Sequence, residues 1–234
     1  MQQYFAKDKN LNLEDGDYYH IKNVMRMKKG DLIKVVFNNT IYLCKIKSVR
    51  PEVSFDVVDK VEGLENNKQV VVAFSLINEQ KQNYLLQKST ELGAFMFIPV
   101  QTKRSIIKFD KKKEKEKISR WQRIIKEASE QSFRTNIPII SNVVTINDLV
   151  SYEADLKILL TVNEKSKNIK KVLQKNSKCD KIIIVIGPPG GFDPKEETLL
   201  NENGFISTTL GKNVLRSETA PVAVLSMINY EFMR

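Results

Sequence analysis

Lys181–Phe192 reads KIIIVIGPPGGF, an apolar run that stops abruptly on Gly187-Pro188-Pro189-Gly190-Gly191. Such a run predicts a strand buried on both faces, as in a parallel sheet. The glycines let the backbone approach a ligand closely. The two prolines stiffen the turn, so that peptide groups rather than side chains present the contacts. Downstream, Leu210–Pro221 reads LGKNVLRSETAP, the end of a second strand followed by a helix start. Two glycine-lined loops at neighbouring strand ends make a small-molecule pocket. The first is not a phosphate loop, because it lacks the Lys-Ser/Thr that reaches phosphate and magnesium, and it does not match GxGxxG.

Outward from this stretch, strand and helix alternate. Strands are expected at Val70–Leu76, Phe95–Val100, Leu156–Thr161, Ile182–Ile186 and Phe205–Leu210, and helices at Asn78–Leu92, Glu114–Ser132, Pro194–Glu202 and Ser217–Phe232. This is a parallel α/β pattern, with ligands expected where strands end. The N-terminal part differs. After a helical stretch around His20–Met27, the runs DLIKVVF, TIYLCKIKSV and EVSFDVVDKV are separated by Asn38-Asn39 and Arg50-Pro51, which is turn chemistry. That meander closes most readily as a small barrel. Gly63–Lys68 (GLENNK) has linker composition, so the expected domains are residues 1–66 and 69–234.

Composition points to an anionic partner. There are 38 Lys+Arg against 28 Asp+Glu, a net charge of +10, which suits nucleic acid or simply a lysine-decorated surface. The charge run Lys108–Lys117 (KFDKKKEKEK) reads as a solvated first turn or loop in preference to a dedicated RNA arm. Cys44 and Cys179 lack CxxC spacing and there is one histidine, so no metal is expected. Met1–Asn10 has no signal-peptide core and no apolar run approaches membrane-spanning length, so a soluble cytoplasmic protein is expected.

Several residues invite a chemical role. Ser217 reads as the N-cap of the last helix, with Glu218 where the helix dipole favours an acid. Capping leaves Arg216 unexplained: a cation at the positive end of a helix is costly unless it serves an anion or a carboxylate. Glu127, Glu130, Gln131 and Arg134 share a helical face, as a salt-bridge ladder or with Arg134 free to reach a base or phosphate. His20, Lys22, Arg26, Lys28 and Lys29 fall within a dozen residues and read as a phosphate-gripping surface, while Tyr4 and Phe5 read as core first and as base-stacking rings second.

In order along the chain, HIKNVMRMKKGD (His20–Asp31), KSTELG (Lys88–Gly93), the TKRS after FIPV (Thr102–Ser105), RWQRIIKEASEQSFR (Arg120–Arg134), the strand with GPPGG, and LGKNVLRSETA (Leu210–Ala220) together resemble the RsmE family. These are the 16S ribosomal RNA uridine-N3 methyltransferases of the SPOUT superfamily. The resemblance implies a PUA-like β-barrel joined to an α/β domain whose C-terminal part forms a trefoil knot. It implies S-adenosylmethionine held by the knot loops, no metal, and a homodimer with active sites at the interface. By position the cofactor residues are Leu160, Thr161, Val162, Gly187, Pro188, Gly190, Gly191, Leu210, Gly211, Leu215, Ser217, Thr219 and Ala220. Methylating N3 of uracil requires stabilising the anion that spreads to O2 and O4, for which Arg134 and Arg216 are the candidates. Glu218 either takes up the proton or caps a helix. RNA is expected on His20, Lys22, Arg26, Lys28, Lys29 and Arg104. Two departures stand out: Pro189 where the family has glutamate, and Gln2-Gln3 where an arginine is common. Pro189 sustains a rival reading, a non-catalytic RNA-binding protein whose α/β part is a dimerisation scaffold.

Overall fold

The computed structural model describes residues 1–63 and 68–232. The chain forms two compact units, Met1–Glu65 with Ser129–Ile137, and Asn66–Ala128 with Pro138–Arg234. The segment Ser129–Ile137 thus joins the N-terminal unit, although it lies far beyond the boundary expected at 66–69. Most of the expected linker, residues 64–67, lies outside the described residues.

The N-terminal unit contains β1 (Gln2–Phe5), α1 (Asp15–Tyr19), β2 (Leu32–Phe37), β3 (Thr40–Ser48) and β4 (Ser54–Glu62). β2, β3 and β4 form the expected antiparallel meander, and β1 adds to it parallel to β2. Asn38 and Asn39 have φ of 45° and 60°, the paired left-handed conformation of a tight hairpin turn, which asparagine tolerates. Tyr4, Leu13, Ile21, Ile33, Val35, Cys44 and Ile46 fill the core, so Tyr4 is core as expected, and Phe5 is buried too. The helix expected around His20–Met27 begins earlier. Asp17 accepts from the backbone N–H of Glu14 and fixes that start (3.3 Å), and a single π-helical turn, His20–Val24, completes it.

The C-terminal unit runs β5 (Gln69–Ser75), α2 (Glu79–Glu91), β6 (Met96–Gln101), α3 (Glu114–Gln131, whose last residues enter the other unit), β7 (Ile139–Ile140), β8 (Val144–Thr145), α4 (Ile146–Leu149), β9 (Leu156–Leu160), α5 (Ile169–Lys175), β10 (Lys181–Ile186), α6 (Pro194–Glu202), β11 (Ile206–Thr208) and α7 (Ala220–Phe232). The sheet is parallel, in the order β11-β9-β10-β5-β6-β7 with β8 also on β6. β10 sits between β9 and β5, and Ile182, Ile183, Ile184 and Val185 are buried; a strand covered on both faces needs the unbroken apolar run that the sequence shows. Asn78 caps α2 by accepting from Lys81 N–H (3.0 Å), and Asp193 caps α6 just before Pro194.

Three expectations change. The strand expected at Phe205–Leu210 shortens to Ile206–Thr208. The last helix starts at Ala220, because residues 217–219 turn under the Arg216 carbonyl, which accepts from the N–H groups of Thr219 and Ala220 (both 2.9 Å). Ser217 is therefore not its N-cap. Phe133, at φ 55°, lies beyond the end of α3 at Gln131, so Arg134 stands past the helix end rather than on its face.

Candidate active site

The parallel register aligns Ile186 with Leu160 and Thr208 with Leu160, so β9, β10 and β11 end at one level. Beyond those carboxyl ends lies a cavity of about 1320 Å³, walled by the loops that follow each strand. This is where parallel sheets place ligands. It exceeds the roughly 300–1,000 Å³ of a typical small-molecule pocket, which leaves room for a second substrate beside a cofactor.

The glycine-proline loop is a tight turn. Gly191 N–H donates to the Pro188 carbonyl (2.8 Å), which puts Pro189 at the second position of the turn, where its fixed φ is already correct. Gly191, at φ 68°, takes the left-handed conformation that favours glycine. At Gly187 a Cβ would stand 2.9 Å from Cε2 of the buried Phe192 ring. Arg104 Nη1 donates to the Gly190 carbonyl (3.1 Å), and Lys103 Nζ pairs with Asp193 at the start of α6 (2.8 Å). The Thr102–Ser105 segment therefore braces this loop, and Arg104, expected on RNA, lines the cavity.

The other two walls are similarly built. Thr161 donates from its hydroxyl to Glu197 Oε1 (2.8 Å), and the Asn163 amide donates to both Glu197 oxygens (3.0 and 3.1 Å). Thr209 and Gly211 exchange hydrogen bonds (3.0 and 3.2 Å), with Gly211 at φ 140°. Of the expected cofactor residues, Leu160, Thr161, Val162, Gly187, Pro188, Gly190, Gly191, Leu210, Gly211, Leu215, Ser217 and Ala220 line the cavity. Thr219 does not; it is exposed on the turn before α7. Backbone-lined turns with Leu160, Ile186 and Leu215 between them suit an adenine ring and a methionine chain, and the cradle at Gly187 leaves no room for a side chain.

Arg216 and Glu218 also line the cavity. Arg216 is exposed there, and among the described residues its side chain makes no hydrogen bond or ion pair. Glu218 is buried and pairs with Lys81 of α2 (3.3 Å). Its carboxylate is thus engaged across the unit rather than capping α7. Sequence reading missed Lys81, Asn163, Glu164 and Glu197, all of which line the cavity. Lys81 sits three positions past the α2 cap, and nothing local marks its partner.

Arg134 belongs to the N-terminal unit and is not among the residues that line this cavity. It donates to Asn136 Oδ1 (2.8 Å), and burial pulls its guanidinium down to about 10. In that unit Lys22, Arg26, Lys28 and Lys29 are exposed, whereas His20 is half-buried, its Nδ1 3.0 Å from the Tyr4 hydroxyl. Among the described residues no cluster of His, Cys, Asp or Glu could hold a metal ion, and no helix is long and apolar enough to cross a membrane.

An RNA methyltransferase domain matches residues 64–229 and an RNA methyltransferase PUA domain matches residues 13–56, which defines the class. The ribosomal RNA small subunit methyltransferase E of Bacillus subtilis is 35% identical over 99% of this chain and 97% of its own length. That of Aquifex aeolicus is 31% identical over 97% and 99%. A Legionella pneumophila methyltransferase solved with bound S-adenosylmethionine is 26% identical, with a TM-score of 0.91 over 98% of this chain and 97% of that one. The Neisseria gonorrhoeae ribosomal RNA small subunit methyltransferase E, also solved with the cofactor, shares the fold at 22% identity, with a TM-score of 0.86 over 98% and 97% of the two chains. The chain belongs to the ribosomal RNA small subunit methyltransferase E family, S-adenosylmethionine-dependent RNA methyltransferases with a PUA-like N-terminal domain and a SPOUT, trefoil-knot α/β domain.

Proposed function

We propose that this chain methylates N3 of a uridine in small-subunit ribosomal RNA. The observation that carries the reading is a guanidinium, Arg216, without a partner among the described residues, on the wall of a backbone-lined cavity that fits S-adenosylmethionine. When bound, the cofactor supplies an electrophilic methyl on a cationic sulfur. The loops after β9, β10 and β11 orient it, and holding both substrates in line supplies much of the rate. Arg216 donates to the uracil oxygens as negative charge builds on them. Arg134, just past the end of α3, is the second candidate and serves the RNA, at the uracil anion or at a phosphate. Incubation of the protein with small-subunit ribosomal RNA and labelled cofactor should yield N3-methyluridine on nucleoside mass analysis. Methyl on a ribose or on another base overturns the assignment.

The N-terminal unit grips RNA phosphates through Lys22, Arg26, Lys28 and Lys29. Arg26 has φ 51°, so asparagine replaces it with less backbone strain than alanine. Arg26→Asn should weaken RNA binding and lower its salt slope by about one unit, with cofactor affinity unchanged by calorimetry.

The active form is a homodimer, working in the cytoplasm where ribosomes are assembled. α7 leaves Tyr230 88% exposed, on one face with the half-buried Ala223 and Met227, and a contiguous apolar face of this kind marks an interface. Light scattering at micromolar concentration should give twice the chain mass of 26.9 kDa.

A further inference from the structure

Three carboxylates line the cavity, and their surroundings set them apart. Glu164 Oε1 accepts from the Ser166 and Lys167 backbone N–H groups (2.7 and 3.0 Å) and from the Ser166 hydroxyl (2.7 Å). Those bonds, the Lys167 N–H foremost, hold it down at about 2. Both oxygens of Glu197 are occupied by Thr161 and Asn163. Neither is placed to receive a proton. Glu218 differs: it is 8% exposed, its Oε1 lies 3.3 Å from Lys81 Nζ, and its Oε2 is buried without a hydrogen-bond partner.

A carboxylate oxygen withdrawn from water without a donor is unfavourable. An acceptor left without a donor on a residue that lines the cavity suits a donor that a ligand brings in. The methionine and adenine parts of the cofactor are served by backbone turns, whereas the uracil N3–H must lose its proton. We infer that Glu218 Oε2 takes up the N3 proton, and that Lys81 is the positioning residue that holds the carboxylate in place through Oε1; this rests on reading the cavity as a uracil-N3 methyl-transfer site. As the N3–H bond breaks, the proton passes to Oε2 and the electron pair stays on N3. That pair forms the bond to the methyl carbon, and the carbon–sulfur bond breaks with its electrons remaining on sulfur. The proton leaves Glu218 to solvent when the product departs.

The test uses the full chain and its Glu218→Gln, Lys81→Met and Lys81→Arg variants. Single-turnover methylation is measured on ribosomal RNA carrying uridine or 5-fluorouridine, beside cofactor calorimetry and a thermal melt. Fluorine withdraws electrons and makes N3–H more acidic, so it relieves dependence on a base. Glu218→Gln should lose about 10²–10⁴ in rate. Lys81→Met should lose on the order of tenfold or more within that loss, and Lys81→Arg should recover most of it. Cofactor affinity should hold in all variants and the melting temperature in Glu218→Gln and Lys81→Arg, whereas Lys81→Met, which leaves the buried carboxylate without its ion pair, should melt lower. Fluorinated RNA should raise the rate of Glu218→Gln and Lys81→Met by a larger factor than that of the unsubstituted protein. An equal fluorine effect in all forms overturns the inference, as does a rate loss matched by lost cofactor affinity, which would make Glu218 a cofactor ligand. Failure of the unsubstituted protein to methylate either RNA removes the site reading itself, and the inference with it.

Discussion

Arg216→Ala should lower single-turnover methylation by about tenfold to a thousandfold at saturating RNA, the loss expected when one preorganised donor to a developing oxyanion is removed. Cofactor affinity and melting temperature should change little. The second half of that expectation comes from the structure: among the described residues the Arg216 side chain has no hydrogen bond or ion pair to lose. Its place just before α7 is electrostatically unfavourable until an anion arrives. Arg216→Lys should recover only part of the rate, because a point charge cannot reproduce the planar fork that reaches two acceptors at once. A lower melting temperature in proportion to the lost rate would instead assign Arg216 a structural role, and normal turnover would leave the uracil anion to backbone donors of the loops.

Where one element is specified by local residues, the sequence was sufficient to place it. The apolar run before GPPGG can only be a central strand, and Asp193-Pro194 start α6 where capping chemistry puts it. The cavity loops were legible for the same reason, since glycines and prolines at strand ends declare a backbone-lined turn. What the sequence did not show lay in backbone turns, in strands too short to read and in partners distant in the chain. Ser217 looks like a cap, yet the turn it sits in is closed by the Arg216 carbonyl. Arg104 looks like a phosphate contact, yet it reaches the Gly190 carbonyl. β7 and β8 are two residues each, too short to show a period. The grouping of Ser129–Ile137 with the N-terminal unit left no mark in composition. Lys81 and Glu218 meet only through the fold, so their pairing became visible with the structure.

Gly187→Val and Gly190→Ala should have opposite outcomes although the two glycines share one loop. A Cβ at Gly187 would lie 2.9, 3.0 and 3.4 Å from three atoms of the Phe192 ring. That ring is 3% exposed within the cluster formed by Val71, Ala73, Ile98 and Val185, so it cannot swing aside. Overpacking of this kind costs about 1–3 kcal/mol. The strain is relieved by moving the loop toward the cavity it lines. Cofactor affinity should then fall on the order of tenfold for each 1.4 kcal/mol that reaches the bound state, and the melting temperature should drop by about 2–4 °C per kcal/mol. At Gly190 a Cβ would meet only Arg104 Cβ, at 4.0 Å, and the residue is not among those with positive φ. Gly190→Ala should therefore leave the melt unchanged, and a ligand whose contacts come from peptide groups should bind as before. Calorimetry on both variants decides the matter. Equal losses would mean that the side-chain side of Gly190 touches the cofactor directly, and no loss at Gly187 would mean that the loop after β10 is not the wall that binds it.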